Sequence, residues 1–142
     1  MDPPAFSIGN DYNLIQKKGL SYEKKVFEHI RRLSGSDSDV LHGRWIYYID
    51  RNGPAYCQPD VLVIPHSPDD PILVIEVKLS YKKEAQRKLR TLYGPLVEHL
   101  HPGRSVIRAQ ICSNIKLTDE EILHRMDQLF EPKPVYKCIH WR

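Results

Sequence analysis

Two short runs, Val61–Ile64 and Ile72–Val77, are apolar at nearly every position, and only Pro65–Pro71 separates them. Runs of this length, rich in Val and Ile on successive residues, predict strands covered on both faces. The segment between them has turn composition. A chain carrying this pair must place a buried hairpin at its centre and supply layers on either side of it. The 142 residues, 41% apolar and 27% charged, suffice for that as one domain. A chain of this size can hide about two-thirds of the surface it exposes when unfolded. No apolar run approaches the roughly 18 residues that span a bilayer, and Met1-Asp2-Pro3-Pro4 lacks the basic start and apolar stretch of a secretory signal. Three cysteines, Cys57, Cys112 and Cys138, stand far apart without CxxC spacing. That argues against a disulfide framework, a zinc knuckle and a four-cysteine cluster, and for a reducing, cytoplasmic setting with no membrane partner. The net charge of +3 is compatible with nucleic acid but does not identify it.

Around the hairpin the pattern predicts helices and further strands. Residues 1–18 read as an N-terminal arm and 19–142 as a single domain. Ser21–Leu33 is expected as a helix, capped by Ser21, with Tyr22, Val26, Ile30 and Leu33 on one stripe. Residues 34–39 have loop composition. Arg44–Ile49 reads as a strand, followed by turn chemistry at Asn52-Gly53. Lys82–Leu100 is expected as a helix burying Ala85, Leu89, Leu92, Leu96 and Leu100, with a kink at Gly94-Pro95. Ser105–Cys112 reads as a strand. Thr118–Phe130 is expected as a helix opened by a Thr118/Glu121 capping box, and Val135–Trp141 as a last strand. The fold class is therefore α/β, a mixed sheet flanked by helices in the order αβββαβ, with an extra C-terminal helix and strand.

A hairpin symmetric about position 68 sets Ile64 opposite Ile72 and Asp60 opposite Glu76. Directly opposed residues of an antiparallel pair share a face, with Cβ atoms about 4.5–5.5 Å apart. Lys78, two residues on, emerges on that face too. Two carboxylates about 5 Å apart repel by roughly 3 kcal/mol at an effective dielectric of 20. A divalent cation relieves this, and hard carboxylate oxygens suit Mg²⁺ or Mn²⁺. Such an ion polarises a phosphate oxygen and lowers the pKa of a bound water, which Lys78 can orient or deprotonate. Taken singly, each of these residues would be read as a solvated strand-end charge; it is their coincidence on one face of buried strands that points to a site.

Pro59-Asp60, followed after fifteen residues by Glu76-Val77-Lys78, resembles the signature of the PD-(D/E)XK nuclease superfamily, the restriction-endonuclease-like fold. The resemblance covers roughly residues 19–113, with a helix before the hairpin and another directly after it. It implies a metal-dependent nuclease in which Asp60 and Glu76 bind Mg²⁺ or Mn²⁺ and Lys78 assists the attacking water. Many members also offer a Glu from the first helix. Gly19-Leu20-Ser21-Tyr22-Glu23 looks like that element, which makes Glu23 an auxiliary metal candidate, although a first-turn acid also suits the helix dipole. Some members related to recombination nucleases carry a Gln and a Tyr in the helix after the hairpin. By that resemblance Gln86 joins the catalytic set, while the gap to Tyr93 is longer than usual.

Lys82, Lys83, Arg87 and Arg90 fall away from the leucine stripe, as a basic face for the phosphate backbone of DNA or simply a solvated one. Lys88 lies nearer its rear edge. The aromatic group Trp45, Tyr47, Tyr48 and Tyr56 can stack bases or pack across strands. The histidines form no HExxH motif; His99 and His101 stand two apart at a helix end, so they do not share a face, and all read as surface or boundary residues. No phosphate-cradling glycine motif is present. Only one active site fits such a chain, so a homodimer or larger complex would supply a second cut or specificity. The competing reading is a non-catalytic module of the same fold that grips nucleic acid or a protein.

Overall fold

The computed structural model describes residues 14–115 and 122–142. Its elements are α1 (Leu14–Ser34), β1 (Ser38–His42), β2 (Ile46–Asp50), β3 (Gly53–Cys57), β4 (Val61–Pro65) and β5 (Ile72–Ser80). Then follow α2 (Lys83–Lys88), a π-helical turn (Leu89–Tyr93), α3 (Gly94–Leu100), β6 (Val106–Asn114), β7 (Ile122–Leu123), a 3₁₀ turn (Met126–Phe130) and β8 (Tyr136–His140). The main sheet is six-stranded and mixed, ordered β1-β4-β5-β6-β8-β7, and β2–β3 form a separate antiparallel ribbon. Among the described residues no helix is long and apolar enough to cross a membrane.

β4 and β5 are central and buried on both faces, as their composition demands. On one face Tyr22, Val26 and Ile30 of α1 pack on Val61, Val63, Leu73, Ile75 and Val77. On the other, Leu89, Tyr93 and Val97 pack with Ile46 and Cys57 of the ribbon on Leu62, Ile72, Val74 and Val106. β5 joins β6 in parallel through the α2–α3 crossover, the helical connection that parallel neighbours require.

Several elements differ from the sequence reading, each for a physical cause. α1 begins at Leu14, so residues 14–18 are helix rather than arm, and Ser21 is interior rather than a cap. No proline interrupts this stretch, and extending a helix costs far less than nucleating one. Residues 1–13 of the expected arm lie outside the described residues. Leu33 is 46% exposed, off the buried stripe. The expected loop 34–39 gives way to β1 from Ser38, whose polar residues suit a sheet edge: Asp39 pairs with His66 at 3.1 Å.

The helix after the hairpin is not one regular α-helix. Pro95 has no N–H to donate and would collide with the carbonyl four residues back, and the turn before it widens to π geometry, with the Gly94 N–H reaching Leu89 O. The extra residue in the turn brings Tyr93 and Val97 into the buried stripe, with Leu92 and Leu96 partly buried against it, and leaves Leu100 54% exposed.

The expected helix 118–130 is absent where residues are described; Thr118 and Glu121 lie outside them. Ile122 and Leu123 instead pair with Cys138 and Ile139 of β8. The 3₁₀ turn that follows is held by Lys137, wholly buried, whose ammonium donates to Gln128 O and Glu131 O at 2.7 Å and to Lys133 O at 3.3 Å. Tertiary pairing here overrides local helix propensity.

Candidate active site

The β4–β5 ladder runs Val61↔Ile75, Leu62↔Val74 and Val63↔Leu73. The same register carried one step further sets Asp60 opposite Glu76. There side chains replace ladder bonds. Val77 N–H donates to Asp60 Oδ2 at 2.7 Å, and Asp60 N–H donates to Glu76 Oε1 at 3.2 Å. Each acid is thus pinned by the other's strand. Pro59 is buried before the pair, and Asp60 O accepts from Gly43 N–H at 3.0 Å, tying the site to the end of β1.

The two backbone bonds leave Asp60 Oδ1 and Glu76 Oε2 outside them. Lys78 Nζ lies 3.8 Å from Glu76 Oε2, its side chain 39% exposed and so reachable from solvent. Burial, then the neighbouring Glu76 and Glu23 charges, push the Asp60 carboxyl up to about 8. Glu76 is raised as well, chiefly by burial, with Lys78, the Asp60 N–H and Lys88 pulling the other way. Acids placed like this hold a proton near neutrality or need a cation. Asp60 Oδ1, with Glu76 Oε2 and its Lys78 neighbour beside it, offers hard oxygens whose chemistry suits Mg²⁺ or Mn²⁺. Among the described residues no group of three or more His, Cys, Asp or Glu side chains stands ready to hold a metal ion. The protein would therefore contribute two carboxylates, and water or phosphate oxygens would complete an ion's shell.

Beside the pair opens a cavity of about 380 Å³, lined by Glu23, Asp60, Val77, Lys78, Ser80 and Lys82 among others; Glu76, 4% exposed, does not line it. Glu23 comes from α1 and faces the same space, but its Oε1 is taken by His42 Nε2 at 3.1 Å. Gln86 is not brought in. It does not line the cavity, and its amide reaches Lys137 O of β8 at 3.5 Å, two strands from β5.

The basic face is divided. Lys82 lines the cavity mouth, and its backbone is clamped by buried Gln110, which accepts from Lys82 N–H at 2.8 Å and donates to Lys82 O at 3.0 Å. Lys83 is exposed. Arg87 is held by Glu84 one turn back, and the Arg90 guanidinium lies 4.8 Å over the Tyr136 ring.

Two neighbours of the site, His42 and Gln110, escaped the sequence reading, and Tyr93 was set aside there for its spacing from Gln86. Tyr93 is 6% exposed, packed in the core layer with Leu89 and Val97, and its hydroxyl is raised first by burial and then by the Glu76 and Cys57 charges. The π turn puts it there, and only Pro95 hinted at that turn. His42 and Gln110 meet the site through strand pairing, a long-range relation that no local spacing records. The aromatic ribbon splits by strand alternation: Tyr48 faces the core, while Tyr47 pairs outward with Tyr56, ring centroids 5.2 Å apart.

No family model matches this chain, nor does any curated protein or solved structure.

Proposed function

We propose that this chain is a metal-dependent nuclease of PD-(D/E)XK type on a restriction-endonuclease-like fold, hydrolysing phosphodiester bonds in DNA with Mg²⁺ or Mn²⁺. The observation that carries this reading is the pairing of Asp60 and Glu76 through each other's backbone bonds, with Lys78 3.8 Å from the second acid. A divalent cation bound there would supply Lewis-acid stabilisation and a more acidic water. Asp60 and Glu76 would hold it through Oδ1 and Oε2. Lys78 orients the attacking water or neutralises charge on the phosphate, as a mobile ammonium can. Lys82 and Lys83 hold the strand's phosphates as it crosses the cavity mouth, a contact that positions without reading sequence. Arg87, engaged by Glu84, and Gln86, turned to Lys137, carry less of the case than the sequence pattern gave them. A single such site cuts one strand, so the reading includes a second copy or a larger intracellular complex for a double cut.

Plasmid, linear duplex, single-stranded and four-way-junction DNA, each with Mg²⁺ or Mn²⁺, form the test. Wild type is expected to cleave at least one substrate, and Asp60→Asn and Lys78→Ala are expected to lose that cleavage. Binding to DNA without cleavage of any substrate would support the non-catalytic module instead.

A further inference from the structure

We propose that His42 is a positioning residue for the cation site: it fixes Glu23 so that the second carboxylate oxygen serves the cavity of Asp60 and Lys78 as an acceptor for ion-bound water. This rests on the nuclease reading above. Glu23 and Phe27 are one turn apart on α1 and share a face. The His42 ring meets both. Its Nε2 is 3.1 Å from Glu23 Oε1, and its plane stacks on Phe27 with centroids 4.7 Å apart and 20° between planes. Two contacts of different kinds fix the ring's orientation as one alone would not.

His42 is also fixed relative to the acids. It is the last residue of β1, in register with Val61, and the next residue, Gly43, donates its N–H to Asp60 O at 3.0 Å. The strand that carries the imidazole is therefore the strand strapped to Asp60. Glu23 lines the same cavity as Asp60, and its charge helps raise the Asp60 carboxyl. As a simple ion pair, with side chains 37% and 19% exposed, His42–Glu23 would add little to stability. Its place explains it better. With two inner carboxylates, an ion keeps several waters, and an outer carboxylate with one oxygen tied leaves the other for those waters. Removing such an outer partner typically weakens metal binding 10–100-fold.

Mn²⁺ binding, read from the electron paramagnetic signal of the free ion, tests this without DNA or turnover. Wild type, Asp60→Asn, Glu23→Gln, His42→Ala, His42→Gln and the Glu23→Gln/His42→Ala double variant are compared at one pH, with metal-free melting as the folding check. Glu23→Gln and His42→Ala are each expected to weaken binding about tenfold. The double variant should lose no more than Glu23→Gln alone, and His42→Gln, which keeps a donor, should recover much of the loss. A purely structural His42 would lower melting without this non-additivity. Mn²⁺ binding by His42→Ala equal to wild type, with Asp60→Asn unable to bind, would overturn the role of His42 and leave the nuclease site standing. No Mn²⁺ bound by wild type would overturn both.

Discussion

At the scale of single residues, the chemistry follows from where three charges are forced to stand. Lys78 is the reachable member, and it touches Glu76 rather than the protein interior. Lys78→Ala is expected to lower cleavage at least about a hundredfold, the usual size of a proton-handling contribution, while Mn²⁺ still raises the melting temperature. Gel-based cleavage rates beside thermal melts check it. Asp60 gives a pH prediction. Its carboxyl is raised from an ordinary 3.8 to about 8, first by burial. The folded chain therefore keeps a proton that the unfolded chain has released. This stabilising contribution is fully present below the ordinary value and is lost as pH rises through about 8. In EDTA, urea midpoints of wild type should fall relative to Asp60→Asn between pH 5 and 8. Mn²⁺, which replaces that proton, should restore wild type most at pH 8. A difference that stays constant over this range would contradict the burial of Asp60 as a charged group.

Elements show which parts were legible in the sequence. The hairpin register was, because prolines bracket a short loop and apolar residues fill both strands; symmetry about position 68 then needs no further information. The pairing of Asp60 with Glu76 followed from it. β1 was not legible, because a polar edge strand shares its composition with a loop. The C-terminal helix expected over 118–130 failed where it is described because β8 claims Ile122 and Leu123 and buried Lys137 organises the turn. The π turn was invisible except through Gly94-Pro95, and it relocates Tyr93 and Val97 into the core. Gly94 belongs to that turn by necessity: a Cβ there would lie 2.7 Å from Leu89 O and would strike the Arg108 guanidinium. Gly94→Ala is expected to destabilise by about 1–3 kcal/mol, the range for overpacking. Chemical denaturation measures it, and a variant as stable as wild type would mean that the turn relaxes freely.

For the whole molecule, the cavity draws on both layers. α1 packs its apolar face on β4 and β5 and brings Glu23 to the cavity, and the start of the α2–α3 layer brings Lys82. A net charge of only +3 makes local placement decisive rather than overall charge. DNA binding should weaken with salt, and Lys82→Ala and Lys83→Ala should each reduce the slope of log affinity against log salt by about 1. Fluorescence anisotropy across a salt series reads this, and unchanged slopes would move the backbone path off α2. The central claim is more local still: one divalent cation shared by two acids on adjoining strands. Its most direct measurement is the anomalous-difference map of crystals grown with Mn²⁺. A single peak about 2–2.3 Å from both Asp60 Oδ1 and Glu76 Oε2 is the predicted result. A well-ordered site with no peak at millimolar Mn²⁺, or a peak bound by other residues alone, would contradict it.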